Sequence, residues 1–125
     1  MKPKTTAAAL LALNLALAAT AQAGPLPPQA RAEVEALLAQ LQSSSCDFSR
    51  NGSWHMPAEA RTHLLRKLAY LEDKSLVSTA DQFIDLAASK SSSSGKPYLV
   101  RCAGHATVPS GDWLRARLAA LRKTP

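Results

Sequence analysis

The chain has 125 residues and a formal net charge of +6, which suits a single domain of mildly basic character. Its 15 Lys and Arg residues form no dense patch, so the charge does not indicate a nucleic-acid-binding protein. Two cysteines alone are too few for a structural zinc site. The composition therefore predicts no metal and no cofactor.

Residues 1–23 have the pattern of a secretory signal peptide. Lys2 and Lys4 form a short positive region before residues 7–19, which are almost wholly Ala and Leu. An Ala-Gln-Ala sequence ending at Ala23 supplies the small-x-small pattern of a cleavage site. A transmembrane anchor is the alternative, but the apolar run is too short to span a bilayer. The sequence predicts cleavage near Ala23, a periplasmic or secreted protein, and no stable membrane span after removal of the signal.

The predicted mature chain keeps a basic excess. Removing residues 1–23 takes away Lys2 and Lys4 and no acidic residue, which leaves 13 basic and 9 acidic residues and a net charge of +4. This excess suits contact with an unknown envelope protein or an anionic small molecule. Residues 24–29 form a Pro-rich lead-in, and residues 30–125 are predicted to form a single domain.

Cys46 and Cys102 are the two cysteines of the chain, and both fall in the predicted mature part. In an oxidising compartment, an even pair of cysteines indicates a disulfide. The bridge would close a loop of roughly 57 residues and stabilise the fold by about 4 kcal/mol in the chain-entropy model. That is a large share of the net stability of about 5–15 kcal/mol that is usual for a domain.

Helix and hairpin signals alternate along the first half of the mature chain. Apolar residues at helical spacing within residues 31–42 predict a first helix. Short alternating runs then flank Asn51-Gly52, the strongest local signal for a tight hairpin, because both turn residues need positive φ. Pro57 suits the first turn of a second helix, which we expect to end near Asp73.

Two more helices and a central strand complete the predicted fold. Thr79 is a suitable N-cap for a third helix that runs to about Ser89. Residues 98–102 alternate like a strand, a shorter run follows at residues 106–108, and Ser110 is the predicted cap of a last helix. The sequence thus predicts an α+β domain that is mainly helical, with about four helices and a small antiparallel sheet of two to four short strands.

Four separated motifs occur in an order that is typical of one family. They are Phe48-x-Arg50-Asn51-Gly52, Ala60-x-x-His63-Leu64-x-x-Lys67, Thr79-Ala80-x-Gln82-Phe83-Ile84-Asp85 and Ser92-x-x-Gly95-Lys96-Pro97-Tyr98. This order resembles the YfeK-like family of small exported bacterial proteins, grouped under a domain of unknown function. The resemblance covers about two thirds of the mature chain. It implies an exported single-domain protein and no established activity.

The sequence contains no catalytic motif. A serine or cysteine nucleophile needs a base and an orienting group, and none of the serines lies in a Gly-x-Ser-x-Gly elbow. Ser94-Gly95-Lys96 superficially resembles the end of a phosphate-binding loop. It lacks the upstream glycine, however, and it precedes a strand rather than a helix. No catalytic residue is therefore assigned, and whether the protein is an enzyme stays open.

The candidate binding site combines the hairpin, one flank of the second helix and the serine-rich loop. His63 and Lys67 lie one helical turn apart. The geometry of the hairpin turn explains Asn51 and Gly52, but it does not require an arginine at position 50. The predicted disulfide would bring these positions beside the loop of residues 91–96. Loop hydroxyls, N–H groups and the cationic side chains would then donate to an anionic group. The predicted ligand-binding residues are Arg50, His63, Lys67, Ser92, Ser94, Lys96 and Tyr98.

These features favour a non-enzymatic binding or interaction module for an anionic envelope ligand or a protein partner. A small hydrolase that acts on an envelope component is the alternative. A second alternative is a lysozyme inhibitor, because Ser94-Gly95-x-x-Tyr98 resembles a short loop of some secreted bacterial lysozyme inhibitors. Those inhibitors are β-barrels, whereas this chain is predicted to be mainly helical.

Overall fold

The computed structural model describes residues 25–124, so the predicted signal peptide and its cleavage site lie outside the described residues. Within this range the mainly helical α+β prediction is confirmed, and no helix is long and apolar enough to cross a membrane. The elements are α1 Pro28–Gln42, β1 Asp47–Arg50, β2 Ser53–His55, α2 Pro57–Asp73, α3 Ala80–Ala87, β3 Leu99–Arg101, β4 Val108–Pro109 and α4 Ser110–Lys123.

The strands form one antiparallel sheet in the order β2-β1-β3-β4. The β1–β2 hairpin turns at Asn51 and Gly52, whose φ angles of 52° and 86° confirm the predicted tight turn. Phe48 lies opposite Val100 in the register of β1 and β3, and both side chains are buried. The sheet therefore contributes an apolar face on which helices pack.

A disulfide joins Cys46, just before β1, to Cys102, just after β3, as predicted from the cysteine count. Their Cα atoms lie 4.3 Å apart, and 56 positions of sequence separate them. The bridge fastens one end of the paired strands. Because the pairing is antiparallel, Arg50 and Tyr98 lie side by side at the opposite end.

The core forms where the apolar faces of the four helices meet the sheet. Phe83 of α3 has no exposed surface, and the ring of Trp113 on α4 meets Phe48 edge to face with 5.7 Å between ring centroids. Full burial of one such side chain contributes about 1.5–3 kcal/mol. The largest fully buried side chains are Phe83, Leu37, Leu38, Leu41, Ile84, Leu114, Val34 and Val100.

Arg122 ties three helices together at the protein surface. Its guanidinium donates to both carboxylate oxygens of Glu33 on α1, at 2.8 and 2.9 Å, and to Asp81 on α3 at 3.0 Å. The hydrogen bond from Arg122 holds the pKa of Glu33 below its ordinary value. These contacts hold α4 against α1 and α3. They lie away from the face of α2 that borders the hairpin.

Candidate functional site

Four polar side chains meet where the end of β1, the middle of α2 and the start of β3 come together. The register of β1 and β3 places Arg50 beside Tyr98. His63 and Lys67 stand one turn apart on α2, and both reach the Tyr98 hydroxyl. We call Arg50, His63, Lys67 and Tyr98 the Tyr98 cluster.

Hydrogen bonds within the cluster define its protonation state. Lys67 Nζ donates to the Tyr98 hydroxyl at 2.9 Å and to the main-chain carbonyl of Lys90 at 3.0 Å. The same hydroxyl lies 3.0 Å from Nε2 of His63. Because an ammonium group can only donate, the Tyr98 oxygen accepts from Lys67 and gives its own hydrogen to His63. His63 is then a neutral imidazole that carries its hydrogen on Nδ1.

Burial and positive neighbours keep His63 uncharged. Burial of the imidazole is the main cause that lowers the pKa of His63 to about 4, and the positive charges of Arg50 and Lys67 lower it further. Burial also lowers the pKa of Lys67, and the nearby Arg50 adds to that effect. Burial raises the pKa of Tyr98, although Arg50 opposes the change. The cluster is therefore a partly dry, positively charged environment.

Arg50 faces an open groove of about 370 Å³ that runs beside α2, and Arg66 lines the same groove. Glu59 is the acidic group in its wall. The Glu59 carboxylate accepts a hydrogen bond from the Met56 amide at 3.3 Å and lies 3.6 Å from Nδ1 of His55. Arg50 forms no ion pair with any residue between positions 25 and 124. The groove thus presents unneutralised guanidinium charge.

The serine-rich loop is fastened to the β1–β2 turn through Asn51. Asn51 Nδ2 donates to Oγ of Ser91 at 3.2 Å, and Oγ of Ser94 donates to Asn51 Oδ1 at 2.5 Å. Ser94 Oγ also accepts from the Lys96 amide at 3.1 Å. Ser91 is buried by this arrangement. Two of the loop hydroxyls therefore bind the hairpin.

The predicted binding residues fall into two groups. Four of them form the Tyr98 cluster. Ser94 lies next to the hairpin through its bond to Asn51, while Ser92 and Lys96 are exposed on the loop. Within the described part of the chain, no hydrogen bond links the side chains of Ser92 or Lys96 to the cluster.

Sequence reasoning missed two residues that shape this region. Arg66 lies three positions after His63, a spacing that places side chains on neighbouring helix faces and could have pointed to it. Asn51 was explained by its turn alone. Its second role, holding the serine loop, depends on strands and loops that are distant in sequence and has no local signal.

A small cavity of about 40 Å³ lies directly behind the Tyr98 cluster. Arg50, His63 and Tyr98 of the cluster line it. Six of the other lining residues are apolar, and the polar ones are the buried Ser49 and Ser110 together with His55 and Glu59. Between residues 25 and 124, no three His, Cys, Asp or Glu side chains come close enough to hold a metal ion. The chemistry of the region is therefore that of cationic hydrogen-bond donors beside an apolar recess.

Comparison with known proteins places the chain in a family of unknown function. The model of a family of unknown function, DUF5329, matches residues 28–122. The uncharacterized protein YfeK of Salmonella typhimurium strain LT2 is 40% identical over 96 residues, which make up 76% of this chain and 76% of that protein. No solved structure matches the chain. The resemblance to YfeK-like proteins is thereby confirmed, and the chain belongs to the family of unknown function DUF5329.

Proposed function

We propose that this domain is a non-enzymatic binding module of the cell envelope that holds an anionic ligand or an acidic partner at the Tyr98 cluster. The observation that carries the proposal is the position of Arg50, which borders the groove without an ion pair among residues 25–124. A guanidinium group matches a carboxylate or a phosphate with two parallel hydrogen bonds. Arg66 and Lys67 add positive charge on the same side of α2.

The surroundings of His63 support binding over catalysis by a serine–histidine pair. Such a pair needs a serine hydroxyl within hydrogen-bond reach of the imidazole. Nε2 of His63 instead receives the hydrogen of Tyr98, and the buried Ser91 hydroxyl bonds to Asn51. A small hydrolase would have to rearrange these bonds before it could activate a nucleophile.

The envelope location in this proposal rests on two features of the chain. Residues 1–23 have the composition of a signal peptide, and the Cys46–Cys102 bridge suits an oxidising compartment. Cell fractionation of the full chain, with detection of a processed form in the periplasm or the medium, tests this part directly.

Titration of the oxidised protein with acetate and with inorganic phosphate, followed by ¹H–¹⁵N NMR, tests the site. We expect saturable shifts at Arg50, His63 and Lys67, because a bound anion changes the field at each of them. Arg50→Gln should weaken binding at least tenfold, as expected for loss of a charge-assisted hydrogen bond of about 1.5–3 kcal/mol. Lys123→Gln removes the same charge from the exposed end of α4 and serves as the matched control.

Two outcomes would count against the binding proposal. One is the absence of saturable shifts at the Tyr98 cluster with either anion. The other is an equal loss of affinity in Arg50→Gln and Lys123→Gln, which would mean that net charge alone attracts the anions.

A further inference from the structure

The cavity behind the Tyr98 cluster is an apolar recess that opens next to positive charge. Its walls combine side chains from α1, α2, α4 and β1. Protein cores are normally packed without voids of this kind, so a recess that reaches the surface provides room for part of a ligand. The apolar side chains that line it are Leu41, Phe48, Ala60, Leu64, Ala88 and Leu114.

The recess and the cationic groove share one wall. Four residues line both of them, namely Arg50, His55, Glu59 and His63. Arg66 lines the groove but not the recess. Arg50 is therefore the permanent cation at the entrance of the recess. Glu59 is the opposing charge there, and the Met56 amide and His55 already face its carboxylate.

We propose that the recess binds the aliphatic chain of a short monocarboxylate whose carboxylate group pairs with Arg50. This inference rests on the proposed function and gives its ligand a chemical class. A single guanidinium at the entrance matches a single negative charge. The lining of the recess has no further cation, so a second negative charge on the ligand would be buried without a partner. Besides Arg50, His55, Glu59, His63 and Tyr98, the polar residues of the lining are Ser49 and Ser110, and the other six residues are apolar.

The size of the recess sets the length of the chain. A volume of about 40 Å³ is room for about three water-sized groups, since one such group needs about 10–15 Å³. Acetate would leave most of that space empty, and propionate and butyrate would fill it step by step, since butyrate has three carbons beyond its carboxylate. Each methylene that enters an apolar site raises affinity about fourfold. Affinity should therefore rise from acetate to butyrate and stop rising at valerate.

The experiment measures dissociation constants of the oxidised protein for acetate, propionate, butyrate, valerate and hexanoate by NMR titration. Ala60→Leu places extra volume in the recess, so it should abolish the increase of affinity with chain length. Ala69→Leu makes the same change on an exposed position of α2 and should behave like the unmodified protein. Ala60 is only partly buried, which favours folding of the variant.

A second measurement covers the case in which Ala60→Leu does not fold. In the unmodified protein, the methyl group of bound butyrate should show nuclear Overhauser effects to Leu64 and Phe48. Two results would overturn the proposal for the recess. Acetate could bind at Arg50 while longer carboxylates bind no more tightly, or bound butyrate could show no such effects. Either result would leave the anion site intact. Failure of every carboxylate and of phosphate to bind would remove the anion site as well.

Discussion

Lys67 donates a hydrogen bond to the hydroxyl of Tyr98 across the boundary between α2 and the sheet, with 2.9 Å between Nζ and the oxygen. Nζ also lies 4.9 Å from the centre of the Tyr98 ring, within the range of a cation–π interaction. The same hydroxyl meets His63. One oxygen atom therefore fixes two side chains of α2 against the residue that precedes β3.

Tyr98→Phe tests the importance of that oxygen. The phenylalanine ring would still fill the same space. Lys67 would lose a hydrogen-bond acceptor and His63 would lose a donor, and water could not easily replace them, because Tyr98 is only 6% exposed. We expect a loss of about 1–2 kcal/mol in the free energy of unfolding, measured by urea denaturation. Tyr70→Phe is the matched control, because Tyr70 lies on α2 with 60% of its surface exposed. Equal effects of the two substitutions would contradict a structural role for the hydroxyl.

His63 should make the stability of the domain depend on pH. Its pKa is lowered from 6.5 to about 4 by burial, with Arg50 and Lys67 as further causes. Between these two pH values the unfolded chain binds more protons than the folded one, so the free energy of unfolding falls as the pH drops. Above pH 6.5 His63 is neutral in both states and adds no pH dependence.

The measurement compares urea midpoints at pH 7.5 and pH 4.5. After allowance for screening by water, we expect His63 to account for about 1–2 kcal/mol of the loss at the lower pH. His63→Gln should remove that part of the loss. His105→Gln changes an exposed histidine in the loop before β4 and should leave the loss unchanged. An unchanged pH profile in His63→Gln would show that other groups carry the dependence.

The helices were predictable because their signals are local. The apolar spacing of α1 and α2 was visible in the sequence, and the Thr79 hydroxyl does accept a hydrogen bond from the Gln82 amide. The predicted cap at Ser110 was wrong, because Pro109 is the N-cap and Ser110 begins α4. Pro109 also pairs with Leu99 in the sheet, so the chain passes directly from β4 into the helix.

Positions set by long-range contacts were less predictable. Trp54 is large and mostly apolar, yet it is 37% exposed. It lies on β2, an edge strand of the sheet, and the centre of its ring lies 3.9 Å from the guanidinium carbon of Arg101. In the site, the spacing of His63 and Lys67 was a local signal. The conformation of the serine loop has no such local signal, because Asn51, which lies about 40 positions earlier in the sequence, holds the loop through its hydrogen bonds to Ser91 and Ser94.

The disulfide should stabilise both the fold and the site. The bridge joins the ends of β1 and β3, and the register of those strands places Arg50 beside Tyr98. Replacing both Cys46 and Cys102 by Ala should lower the free energy of unfolding by about 4 kcal/mol in the chain-entropy model. Urea denaturation measures this loss, and thiol titration of the unreduced, denatured protein should find no free thiol. Two free thiols would show that the bridge does not form.

Gly111 in the first turn of α4 leaves room for the side chain of Ser89. A Cβ at position 111 would lie 2.7 Å from Ser89 Oγ and 3.0 Å from Nη1 of Arg115. Arg115 is exposed and can move, but Ser89 Oγ donates to the carbonyl of Ile84 at 2.7 Å and is held in place. Gly111→Ala should therefore cost about 1–3 kcal/mol by overpacking. The gain of about 1 kcal/mol that alanine normally brings to a helix offsets part of this cost.

The double variant Ser89→Gly with Gly111→Ala separates overpacking from any other effect of the substitution. Removing the Ser89 side chain takes away the atom that the new methyl group would meet, so much of the lost stability should return. Ser89→Gly alone provides the reference for the lost bond to Ile84. If the two substitutions together cost as much as the sum of the single ones, in urea denaturation, then contact with Ser89 is not the reason that position 111 favours glycine.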